Sequence, residues 1–141
     1  MAIYPLNTDT PKVLGRGYGF GASHIDNLGF AANTSVAYQY ITAPADCVLK
    51  GVTVKGTITS TATATYTFAV NNMSVDTDPA MIGTSVFNAT EGSVLTADEA
   101  AELAVVATAA AKVSKGDIIR VGFTGGTGSG LAGVLLEWEL V

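Results

Sequence analysis

The sequence predicts an all-β fold, a jelly-roll-like β-sandwich with an extended N-terminal arm, and three observations carry that expectation. Short runs alternate apolar and polar residues with a period of two. Clusters of Gly, Pro, Asn and Asp separate those runs at short intervals. No apolar run approaches the roughly 18 residues of a membrane span.

The arm comes first, over residues 1–33. It holds Pro5, Pro11 and the glycines of GRGYGFG, Gly15, Gly17, Gly19 and Gly21, and it shows no sustained apolar period. Its apolar side chains, Ile3, Tyr4, Leu14, Tyr18, Phe20, Ile25, Leu28 and Phe30, gain only by burial, so the arm is expected to dock on a surface. Glycine at alternate positions lets backbone approach a partner closely while Tyr18 and Phe20 bury area there. A linker that merely contains aromatics is the plainer alternative.

Residues 34–141 then read as the sandwich domain. SVAYQYIT and VLKGVTVKG are the first strands, with Gly51 interrupting the second as a bulge would. In TATYTFAV the inward set is Ala64, Tyr66, Phe68 and Val70, with threonines outward. DIIRVGF turns Ile119, Val121 and Phe123 inward. VLLEWELV does the same with Val134, Leu136, Trp138 and Leu140, leaving Glu137 and Glu139 outside. Turns are expected at Ala43-Pro44-Ala45-Asp46, Asn71-Asn72, Asp76-Thr77-Asp78-Pro79 and Lys115-Gly116-Asp117, and a flexible hairpin loop at Gly125–Gly130.

TADEAAELAVVATAAAK fits two structures. Thr96 with Glu99 makes a capping box before an alanine-rich helical pattern. A turn at 97–100 followed by a strand with Leu103, Val105 and Ala107 on one face fits as well.

Composition excludes several functions. A chain of 141 residues with 48% hydrophobic and 13% charged residues is one globular domain rather than a disordered chain. Twelve acidic against seven basic residues leave a net charge of −5, and Lys50, Lys55, Lys112 and Lys115 are scattered, so no nucleic-acid partner is expected. No membrane partner is expected either. MAIYPLNTDTPK lacks a basic region followed by an apolar one, so no secretory signal is visible and synthesis in the cytoplasm is expected.

Gly17-Tyr18-Gly19-Phe20-Gly21-Ala22 matches the dinucleotide fingerprint in letters only. It has no strand before it and no helical pattern after it. GGTGSG lacks the Gly-Lys-Ser/Thr ending of a phosphate loop. His24 is the single histidine and Cys47 the single cysteine, in unrelated segments, so no catalytic pair is expected. Asp76 and Asp78 have calcium-loop spacing without the remaining ligands. No enzyme activity, cofactor or metal is expected.

APADCVLKGVTVKG, and TADEAAELAVVATAAAKVSKGDIIRVGFTGGTGSGLAGVLLEWELV after it, resemble the small β-sandwich decoration (cement) proteins of tailed-phage capsids. The shared features are an Ala-Pro-x-Asp turn into a Val/Gly-rich strand, a Val-x-Lys-Gly-Asp hairpin, and a closing strand of alternating apolar and acidic residues. The resemblance spans roughly residues 34–141. It implies an extended conformation at 102–108 and a structural virion protein on the capsid exterior, with the major capsid protein as partner and a homotrimer as assembly. Such a protein binds the outside of the head and bridges capsomers. On that reading Tyr4, Gly17, Tyr18, Gly19, Phe20 and Phe30 form the capsid or subunit interface. The alternative is a β-sandwich binding module, a head fibre or carbohydrate-recognition domain. Its aromatic platforms are expected in exposed loops, yet GGTGSG and NNMSVDTDP contain no Trp or Tyr.

Overall fold

The computed structural model describes residues 23–83, 85–89, 93–106 and 111–141. Among them nine strands are formed and no α-helix: β1 (Ser23–Phe30), β2 (Ala37–Thr42), β3 (Cys47–Gly56), β4 (Tyr66–Asn72), β5 (Ser85–Phe87), β6 (Ala101–Leu103), β7 (Lys112–Val113), β8 (Ile118–Gly125) and β9 (Ala132–Leu140). One sheet has the order β1-β9-β3-β6, with β7 also pairing to β3; the other has the order β2-β8-β4-β5. All pairings are antiparallel. The chain changes sheet from β1 to β2, β2 to β3, β3 to β4, β5 to β6, β7 to β8 and β8 to β9, which is the winding of a jelly roll.

The strand faces follow the alternation. Tyr66, Phe68 and Val70 on β4, Ile119, Val121 and Phe123 on β8, and Val134, Leu136 and Trp138 on β9 are all buried between the sheets. The register of β3 against β9 shifts between Leu49 and Gly51, the bulge that Gly51 signals. Cys47 is buried at one end of this core.

Three expectations need correction. Ser23–Phe30, placed in the arm by the boundary at residue 33, is a full strand paired with β9 from Ser23↔Glu139 to Phe30↔Ala132. Its more buried positions are His24, Asp26, Leu28 and Phe30, and the two polar members of that set hide the period. Asn71 and Asn72 end β4 rather than making a turn. Asn72 is buried, and its side-chain amide donates to Asp117 Oδ2 at 3.0 Å. The Gly125–Gly130 loop is closely packed, because a Cβ on Gly126 or Gly130 would collide with Thr63, Thr65 or Thr57.

The segment after Thr96 takes the extended alternative. A turn at 96–99 is closed by Glu99 N–H donating to the Thr96 carbonyl at 3.1 Å. Ala101–Leu103 then pairs with Val52–Val54, and Val105 bridges Ile82. Burying Ala101, Leu103 and Val105 against the core while satisfying the edge of β3 outweighs local helix propensity. Residues 107–110 lie outside the described residues.

Tyr66 joins the sheets to the loops. Its hydroxyl donates to the Ile58 carbonyl at 2.7 Å and accepts from the N–H groups of Ile58 at 3.1 Å and Gly130 at 3.0 Å. The ring lies against Gly56, where a Cβ would sit 2.6 Å from Tyr66 Cζ. Tyr66→Phe strands these buried groups and is expected to cost about 1–3 kcal/mol. Gly56→Ala overpacks the same spot at a similar cost, about 1–3 kcal/mol. Urea unfolding followed by the single Trp138 checks both, and unchanged midpoints would contradict this account.

Candidate interaction surface

The outer face of the β2-β8-β4-β5 sheet carries an aromatic and cationic patch. On β2 the alternation runs opposite to the usual one: Tyr38 and Tyr40 face out at 47% and 59% exposure, while Ala37, Gln39 and Ile41 are half-buried. Their partners on β8 are Gly122 for Tyr38 and Arg120 for Tyr40. The Tyr38 ring lies against Gly122, where a Cβ would be 3.1 Å from Tyr38 Cε1. The Arg120 guanidinium sits 4.6 Å from the centre of that ring, a cation–π contact that orders an otherwise mobile side chain.

No ion pair to Arg120 forms among the described residues. The outward strand residues around it, Thr42, Ile118, Thr124, Thr67, Ala69 and Asn71, include no carboxylate. The guanidinium is therefore preorganised, with donors to spare, between two tyrosines on an acidic protein.

Of the residues expected at the interface, Tyr4, Gly17, Tyr18, Gly19 and Phe20 lie outside the described residues. Phe30 does not belong to an exposed surface. It is buried in the core, with its ring 5.7 Å from that of Phe123, because the alternation of β1 turns it inward. Tyr38, Tyr40 and Arg120 were not singled out by the sequence reading. Their signal is in AYQYIT, where tyrosines two apart share a face, and in DIIRVGF, which sends Arg120 and Gly122 to the side opposite Ile119, Val121 and Phe123.

The chemistry-bearing residues elsewhere serve the fold. Asp117 Oδ2 accepts from Asn72 Nδ2 and from the Ser114 N–H, each at 3.0 Å, and Asp46 Oδ1 accepts from the Lys115 N–H at 2.8 Å. These bonds build the Lys115-Gly116-Asp117 turn, where Gly116 has φ +92°. Asp26 Oδ2 accepts from Trp138 Nε1 at 3.0 Å and lies 3.2 Å from His24 Nε2. Asp78 closes its own turn, donating its N–H to the Val75 carbonyl at 2.8 Å. Among the described residues no group of three His, Cys, Asp or Glu side chains is placed to hold a metal ion, and no helix is long and apolar enough to cross a membrane.

Burial first, and then the carboxylates of Asp26, Asp46 and Asp117, push the Cys47 thiol up from its ordinary value. A folded value above the unfolded one means that this contribution to stability is fully present below the unfolded thiol pKa. It is lost as pH rises through the folded value. Cys47 in the folded protein is expected to react far more slowly with a thiol reagent than in the denatured chain. Stability should fall as pH rises from about 8.5, and less steeply in Cys47→Ala. Equal labelling rates, folded and unfolded, would contradict the buried placement.

The sequence matches no protein-family profile and no curated protein. Among solved structures the chain is similar to one in the "Cyanophage Pam1 capsid asymmetric unit", with a TM-score of 0.47 and 16% sequence identity, over 96% of this chain and 98% of that one.

Proposed function

We propose that this protein is a structural, non-enzymatic component of a phage virion, a decoration protein that binds the outer surface of an assembled head and bridges capsomers. Its partners are the major capsid protein and, in a homotrimer, copies of itself. The observation that carries this reading is the Tyr38–Arg120–Tyr40 patch on the outside of a tightly packed jelly roll. Tyr and Arg are the side chains most enriched where protein interfaces concentrate their binding energy. The sequence resemblance to capsid decoration proteins points the same way. The turn and core carboxylates, by contrast, are held in structural hydrogen bonds.

A second reading, a carbohydrate-recognition domain, is favoured by the exposure of Tyr40 on a sheet face rather than in a loop. Tyr38 contributes less to a stacking platform, since Gly122 lies beneath its ring and Arg120 packs against it.

Co-sedimentation with pre-formed, undecorated heads tests both readings. The full chain is expected to pellet with the heads. Arg120→Glu should weaken binding by about 30-fold, the equivalent of roughly 2 kcal/mol at an interface hot spot. Arg120 is half-exposed on the outer face, so the variant is expected to fold as the parent does. Failure of the full chain to bind heads, together with retention on immobilised polysaccharide, would favour the carbohydrate reading.

A further inference from the structure

The outer face of the β1-β9-β3-β6 sheet has a bare spot. Gly29 on β1 and Gly133 on β9 are direct partners, and Phe30 and Ala132 beside them are buried, so both glycines face outward. A Cβ on Gly29 would touch nothing, and one on Gly133 would meet only the Leu28 carbonyl at 3.8 Å. Neither glycine has a positive φ, so no turn or backbone strain calls for glycine here. Leu131 walls the depression on one side of Gly133, Asn27 and Leu135 wall the other, and Lys55, its β3 partner, stands at their common rim. Glycine inside a strand often marks a place where another group comes close.

The fold itself shows what strand glycines accommodate. It seats a tyrosine ring on a glycine twice, Tyr66 on Gly56 and Tyr38 on Gly122. Gly29 and Gly133 form a seat without a ring, whereas Tyr40, opposite Arg120 and the most exposed tyrosine described, is a ring without a seat. The two lie on opposite outer faces of the sandwich, so Tyr40 does not reach the seat of its own chain. Both nevertheless border one flank: β1 and β2 each end their sheet, and the Gln39 side-chain amide donates to the Gly29 carbonyl across it. The charges match as well. Arg120 has no carboxylate partner, and Glu137, exposed on β9 and outward like Gly133, has no cationic partner among the described residues.

We infer that Tyr40 of one copy seats on Gly29 and Gly133 of the next copy, between Leu131 and Leu135. Strands of packed sheets run within about 30° of one another, and outward residues repeat at roughly 7 Å on both faces. Tyr38, two residues from Tyr40, then lies over Asn27 and Leu135. The Arg120 guanidinium, held on the Tyr38 ring, comes within about one such repeat of Glu137 and pairs with it. Lys55 stands where its ammonium donates to the Tyr40 hydroxyl. The contact is heterologous, because the surface given differs from the surface received. Since both surfaces border the same flank, repeating the contact turns those flanks toward a common axis and closes a ring. The inference rests on the self-association in the proposed function and names the contact that makes it. Arg120→Glu then weakens binding to heads by dissolving a multivalent ring.

Sedimentation analysis of the full-length chain tests it. Gly133→Val fills the seat from the open side, so the Trp138 urea transition should stay at or above that of the wild type. Self-association should nevertheless weaken by about tenfold or more. Tyr40→Ala, which removes the ring, should do the same. Mixed together, these two variants are expected to form a dimer with one chain of each, because the first keeps its ring and the second its seat. Arg120→Glu and Glu137→Arg should each weaken association, and the two combined in one chain should restore it. A wild-type chain that stays monomeric overturns the inference. So does a valine variant that assembles as the wild type does, a mixture that stays monomeric, or a charge swap that restores nothing. Head co-sedimentation on the same samples separates the two ideas: wild-type rings that leave heads unbound refute the shell reading alone, and head binding by a monomeric wild type refutes this contact while leaving the shell as partner.

Discussion

The described structure depends on one buried hydroxyl. Tyr66 sits at the start of β4 with its ring wholly inside the core, and its oxygen holds both backbone groups of Ile58 and the N–H of Gly130. Those groups belong to the segments that follow β3 and precede β9, so one side chain of one sheet sets how two strands of the other sheet enter and leave. The ring also stacks near Phe68 and Phe123, with centroid separations of 6.5 and 5.9 Å. Burying a tyrosine without partners for its hydroxyl would be costly. Here every bond it makes also pairs a backbone group that the loops would otherwise leave exposed to the core.

Glycines extend that constraint outward. Gly56 is the space in which the Tyr66 ring lies, and Gly126 and Gly130 let the loop after β8 press onto the threonine-rich segment before β4. With that end closed by backbone contacts, polar side chains build the other. Asp46 and Asp117 organise the turn at 114–117, and Asp26 caps the Trp138 indole. The acidic character of the chain is thus partly architectural, which is why its carboxylates make no reactive cluster among the described residues. The outer faces carry the remaining chemistry, including Arg120 packed on the Tyr38 ring.

Particular residues show how far local pattern reaches. Alternation in TATYTFAV, DIIRVGF and VLLEWELV placed the buried side chains correctly except Leu140, which is exposed at the end of β9, because a strand with one wet and one dry face can satisfy both only with a period of two. Gly51 marked its bulge for a similarly local reason. SHIDNLGF did not declare itself, since His24 and Asp26 occupy inward positions and are tolerated there only because Trp138 supplies a partner for Asp26. The patch escaped notice because tyrosines read as core residues until a strand's partner is known.

What the sequence determined by itself was the class of fold, the composition of its core and most of its turns. All are set by periodicity and by residues that accept few backbone conformations. What only the tertiary structure decided was the pairing. It showed that Ser23–Phe30 is a strand, that Ala101–Leu103 is extended despite its helical propensity, and that Tyr38, Tyr40, Arg120 and Gly122 share one exposed face. Each of these is fixed by contacts between segments distant in the chain. A residue's neighbours along the sequence do not specify which strand will lie beside it.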